Sequence, residues 1–196
     1  MSSGPIEDLK PHDRRRFFVE GLMRALRPVA DYVETKLPLP KVRTVLRPPG
    51  ALAEEAFLDT CYRCGNCLEA CPAGAIRQFQ SDDPVQAGTP YIDPDISPCV
   101  VCEAMACMKA CTSGALRLVG VSEFGMGLAR TRPEHCLLSQ GTPCGLCVQK
   151  CPIGGSAIRI GPSGSVQIVE TGCIGCGVCQ HHCPTVPKAI IVNPEP

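Results

Sequence analysis

The chain has 196 residues, and its 19 basic and 19 acidic side chains balance to a sequence pI near 6.8. That balance gives no basis for nucleic-acid binding and no strong electrostatic attraction to a membrane surface. Aromatic residues are 4% of the chain and Trp is absent, while 19 Gly and 20 Pro argue for short elements and many loops, so the 16 cysteines are what remains to hold the fold together.

Residues 1–60 contain no cysteine, and Met1 to Pro11 is polar. From Arg14 onward, Phe18, Leu22, Leu26, Val29 and Val33 fall at helical spacing between Arg24, Arg27, Asp31 and Glu34. This predicts an amphipathic helix over 14–36, interrupted near Pro28. The following LPLPKVRTVLRPPG is too rich in proline to continue it and reads as an extended strap. Arg14-Arg15-Arg16-Phe17-Phe18 resembles a twin-arginine export motif, which offers a periplasmic alternative. Such a signal needs an uncharged apolar stretch next, where this chain has Glu20, Arg24 and Arg27. The expectation is therefore a cytoplasmic protein that keeps the segment as a docking helix. No segment is long and apolar enough to span a bilayer, which leaves peripheral association as the only membrane contact expected.

From Cys61 the chain repeats one pattern four times: a cysteine group, a turn of small residues, then a short apolar strand. The strands follow in CPAGAIRQF, CTSGALRLV, CPIGGSAIRI and CPTVPKAIIV, and YIDPD, GLARTRPEH and VQIVETG supply candidate partner strands. These are coarse ferredoxin half-units. The expected fold is α+β, with two ferredoxin-like dicluster modules over 55–196 and a helical, proline-rich extension over 1–54.

The first group is Cys61, Cys64, Cys67 and Cys71, followed by Pro72; the last is Cys173, Cys176, Cys179 and Cys183, followed by Pro184. Both match the C-x2-C-x2-C-x3-C-P run of [4Fe–4S] proteins, in which three cysteines hold one cluster and the fourth holds its neighbour. A loop with two-residue gaps can wrap three thiolates around three corners of a cubane. The fourth, at the start of a helical turn, points away to the next one. Cys99, Cys102, Cys107 and Cys111 form a variant with a wider second gap, and Cys136, Cys144, Cys147 and Cys151 one with a wider first gap. The last gap of three residues is kept in all four. A disulfide scaffold would scatter its cysteines rather than bunch them at spacings that strain a bridge. Structural zinc uses two pairs separated by a longer loop. All sixteen cysteines are thus assigned to four [4Fe–4S] clusters, and Gly65, Gly175 and Gly177 are expected to let the backbone approach them.

Other residues have simpler readings. His181 and His182 lie within a group that already has four cysteines, so they are solvent-facing or potential-tuning. Tyr62 packs beside its cluster, and Met105, Met108 and Met126 fill gaps in the core. Neither a serine–histidine–acid set nor a phosphate loop is present, so the chain reads as an electron carrier and not an enzyme.

The run GTPYIDPDISPCVVCEAMACMKACTSGALRL, then GMGLARTRPEHCLLSQGTPCGLCVQKCP and CIGCGVCQHHCP, resembles the NapG/MauM ferredoxin-type proteins across roughly residues 55–192. The resemblance implies four [4Fe–4S] clusters relaying single electrons to or from a partner, such as a larger oxidoreductase subunit. An accessory role in maturing that partner is the alternative. The wider class of four-cluster subunits in molybdenum oxidoreductases implies nested pairing. On that pattern Cys183 joins Cys61, Cys64 and Cys67, and Cys71 joins Cys173, Cys176 and Cys179. Cys151 would then join Cys99, Cys102 and Cys107, and Cys111 would join Cys136, Cys144 and Cys147. Sequential pairing is the alternative, and linkers of 27, 24 and 21 residues permit both.

Overall fold

A computed structural model describes residues 43–195, and the helix expected over 14–36 lies outside them. Each cysteine group contains a short α-helix that runs up to the fourth cysteine. These are α2 (Asn66–Ala70), α3 (Ala106–Lys109), α4 (Leu146–Gln149) and α5 (Val178–His181); a longer α1 (Glu54–Thr60) leads into the first group. The third cysteine of each group sits in its helix, and the next turn carries the fourth.

Among the described residues the strands form three two-stranded antiparallel sheets. β1 (Ile76–Gln78) pairs with β2 (Pro90–Ile92), and β4 (Ile158–Ile160) pairs with β5 (Val166–Ile168), each as a local hairpin between consecutive groups. β3 (Gly127–Thr131) pairs with β6 (Ile190–Pro194), with Ala129 opposite Val192. The partner strands expected in YIDPD, GLARTRPEH and VQIVETG are therefore present. The strand expected after the second group is reduced to one bridge, Leu116 to Ala51.

That bridge shows what residues 43–54 do. Expected to belong to the N-terminal extension, they pack inside the cysteine-bearing body instead. Leu46 bridges to Ile92, and Arg117 donates its backbone N–H to the Gly50 carbonyl at 2.8 Å. Arg47 is fully buried; its guanidinium donates to Glu54, to Thr89 Oγ1 at 2.9 Å and to the Pro90 carbonyl at 3.0 Å. It also lies 4.8 Å from the centre of the Phe57 ring. One cation thus ties the strap, α1 and β2 together. The proline-rich segment fills the edge that the second repeat leaves open.

The core combines buried aliphatic side chains, among them Leu46, Ile92, Leu116, Ile158 and Ile190, with cysteines and a few larger residues, chiefly Phe57, Phe124, Met108 and Met126. Two-stranded sheets of three to five residues are marginal alone.

Candidate metal centres

The sixteen cysteines line four cavities, four to each, and every cysteine is used once. Site 1 is lined by Cys61, Cys64, Cys67 and Cys111. Site 2 is lined by Cys71, Cys99, Cys102 and Cys107. Cys151, Cys173, Cys176 and Cys179 line site 3, and Cys136, Cys144, Cys147 and Cys183 line site 4. The space inside each, open mouth included, is between about 340 and 400 Å³.

In every case three cysteines come from one group and the fourth from another, as the repeated final gap requires. The nested pairing is corrected. Cys71 lies with the second group rather than with Cys173, Cys176 and Cys179, and Cys183 lies with the third rather than with Cys61, Cys64 and Cys67. Likewise Cys111 lies with the first group and Cys151 with the fourth. The physical reason is the hairpins. β1–β2 folds the 72–98 linker back so that α2 packs on α3, and β4–β5 does the same for α4 and α5.

The four sites follow one another in space. α2 lines site 1 and packs on α3, which lines site 2; α4 lines site 4 and packs on α5, which lines site 3. Between the pairs, the Cys99 backbone N–H donates to the Cys176 carbonyl at 3.0 Å, joining a loop of site 2 to a loop of site 3. Around this junction Gln180 Nε2 donates to Asp95 at 3.1 Å, and His181 Nδ1 lies 2.9 Å from the Pro94 carbonyl oxygen. The two histidines are therefore accounted for without ligation: His181 helps hold the junction, and its ring packs edge-on against His182.

Glycine matters most here at Gly175 and Gly177, which both line site 3. Each has positive φ, +72° and +85°, and a Cβ at Gly175 would collide with the Gly127 backbone nitrogen. At Gly177 it would fall 2.7 Å from the Pro94 ring. The close contacts are with neighbouring chain, Gly127 and Pro94. Gly65 has φ +83° and nothing within 4 Å of the point where a Cβ would sit, so conformation alone explains it.

The thiols are electrostatically crowded. Burial pushes Cys67 up to about 12, and the neighbouring thiols Cys61, Cys111 and Cys107 add to the rise. Cys176 is likewise pushed up to about 12 by burial, with Cys151 and Cys99 contributing, while Cys99, Cys107 and Cys147 rise to about 11 for the same leading reason. Thiolates gathered this closely need positive charge among them, which bound metal supplies. Cys111 and Cys183 go the other way. Burial alone would raise them, yet hydrogen bonds bring both below the ordinary thiol value. Those bonds come from the Leu116 amide and Ser113 at Cys111, and from Thr185 at Cys183. Ser113 and Thr185 were not singled out by sequence reasoning. The available signal was a hydroxyl two residues after the fourth cysteine in groups two and four.

Other expected residues fall as follows. Tyr62 lines site 1 but is 73% exposed, and Cys64 is the one exposed cysteine, so site 1 opens toward solvent. Arg63 secures this rim by donating to the Val85 carbonyl at 2.7 Å and the Ala87 carbonyl at 3.1 Å. Met105 and Met108 line site 2, and Met126 is buried in the core. Among the described residues no helix is long and apolar enough to cross a membrane, and no three Cys, His, Asp or Glu side chains converge tightly enough to hold one metal ion.

Comparison with known proteins agrees with this geometry. A family model described as a 4Fe-4S dicluster domain matches residues 60–115, which hold the cysteines of sites 1 and 2. The methylamine utilization ferredoxin-type protein MauM of Methylobacillus flagellatus is 42% identical over 143 residues, 68% of this chain and 61% of that protein. MauM of Paracoccus denitrificans is 37% identical over 141 residues, 67% of this chain and 63% of its own. The ferredoxin-type protein NapG of Escherichia coli is 41% identical over 118 residues, 59% of this chain and 51% of its own. The chain thus spans between half and two thirds of the length of these relatives. At 37–42% identity the chain is a homologue of the MauM and NapG ferredoxin-type proteins, and its first two cysteine groups match a 4Fe-4S dicluster domain.

Proposed function

We propose that the chain carries four [4Fe–4S] clusters in two dicluster modules and relays single electrons along them, in the order site 1, site 2, site 3, site 4. The observation that carries this reading is the partition of all sixteen cysteines into four cavities of four, each completed by the fourth cysteine of a neighbouring group. Four thiols spread around a cavity suit a group with four metal corners. A zinc ion would need its sulfurs drawn to about 2.3 Å from one point. The clusters supply the redox chemistry. The chain supplies thiolates, spacing and hydrogen bonds to sulfur.

The line of sites supports a relay, because each site is joined to the next by helices packed on each other or by the backbone hydrogen bond between Cys99 and Cys176. The partners are then two redox proteins or domains, one at each end of the line, of which a larger oxidoreductase subunit is one. Anaerobic reductive titration of the purified protein tests the reading. Uptake of about four electrons per chain, one per cubane, is expected. Uptake that stops at about two would refute the four-site relay.

A further inference from the structure

Two hydroxyls distinguish the ends of this line from its middle. Ser113 Oγ lies 3.6 Å from Cys111 Sγ and lines site 1. Thr185 Oγ1 lies 3.2 Å from Cys183 Sγ and lines site 4. In each, the oxygen already accepts a backbone N–H, from Ala115 at 3.3 Å and from Ala189 at 2.9 Å. Those bonds occupy lone pairs and leave the hydroxyl proton free to point at sulfur. At the corresponding position two residues after the fourth cysteine, site 2 has Ala73 and site 3 has Ile153, neither of which can donate. Cys71 of site 2 receives an amide N–H from Ala75 at 3.4 Å, a contact with its counterpart at site 1 in Leu116 to Cys111 at 3.3 Å. The hydroxyl is thus an addition at the end sites.

A donor aimed at a ligand sulfur stabilises the cluster more when it carries the extra electron, since the bond strengthens with negative charge on the acceptor. Its effect is to raise that cluster's reduction potential. Resting on the relay proposed above, we infer that Ser113 and Thr185 are tuning residues that hold the two end clusters at higher potential than they would otherwise have. An electron on the chain then favours the ends, where partners meet it, and crosses the inner pair as an intermediate.

The test is redox-titrated electron paramagnetic resonance on the anaerobically purified full chain, comparing wild type with Ser113→Ala, Thr185→Ala and the double variant. Each single variant is expected to move one titrating component to lower potential and leave the other three in place. The double variant moves two. Ser113→Thr and Thr185→Ser keep the hydroxyl and are expected to titrate like wild type, which separates tuning from any loss of the turn that these side chains also brace. Unmoved potentials in both alanine variants at full iron content would overturn the inference while leaving the relay standing. Equal shifts in the hydroxyl-keeping variants would also overturn it. A wild-type protein that lacks four titrating components would instead remove the relay reading beneath it.

Discussion

Replacing Arg47 with Met removes the cation that joins the strap, α1 and β2, and leaves Glu54 buried at 5% exposure. Breaking a buried ion pair by deleting one partner costs about 3–5 kcal/mol, because the remaining charge is left without compensation. Arg43 moderates this: its Nε lies 3.8 Å from Glu54 and stays in place, so the lower figure, about 3 kcal/mol, applies. For a chain of this size each kcal/mol moves the midpoint by about 2–4 °C, which predicts a fall of about 6–12 °C. Arg47→Lys keeps the charge but cannot reach Glu54, Thr89 and Pro90 at once, so an intermediate fall is expected. The assay is anaerobic thermal melting of the holoprotein, followed by loss of cluster absorbance. Since Gly88 and Pro90 line site 1, that cluster is expected to be lost first. A midpoint for Arg47→Met within about 2 °C of wild type would refute the claim that this pair organises the strap.

Three further outcomes follow from the geometry. Cys71→Ser should disturb the cluster at site 2 and spare the one at site 3, because Cys71 lines a cavity with Cys99, Cys102 and Cys107; Mössbauer spectra showing damage at the site of Cys173, Cys176 and Cys179 would restore the nested pairing. Gly175→Ala should cost the protein its site 3 cluster, since the added methyl meets the Gly127 backbone at positive φ; an unchanged iron content in that variant would contradict the close approach. Iron-free chain should lose cooperative melting, because short two-stranded sheets cannot cohere without the clusters; a sharp calorimetric transition near the holoprotein's midpoint would count against it.

The cysteine groups were legible in the sequence because cluster ligation is local: three thiols from one loop must fit three corners, which fixes the gaps. The pairing of groups was not, because it depends on which linkers close as hairpins. Ile76 opposite Ile92 and Ile158 opposite Ile168 decide it, and linker length alone does not. The partner strands in YIDPD and VQIVETG were visible as short segments before the cysteine groups, but a segment does not say which strand it pairs with, and the nested pairing misplaced the fourth cysteine of every site. Residues 43–54 were misplaced for a different reason. Proline-rich strap has no periodicity to reveal a buried face, and nothing in the sequence marks Arg47 and Glu54 as a buried pair. Ser113 and Thr185 were hidden among turn residues, where hydroxyls are common for reasons unrelated to sulfur.

The cluster count is the most direct test of the four-site relay. Iron and acid-labile sulfide should be measured on anaerobically isolated protein that has been fully reconstituted with both. Four complete cysteine sets predict about sixteen iron and sixteen sulfide per chain. Saturation near eight iron, or stoichiometric zinc in natively purified protein with no iron–sulfur absorbance, would contradict it.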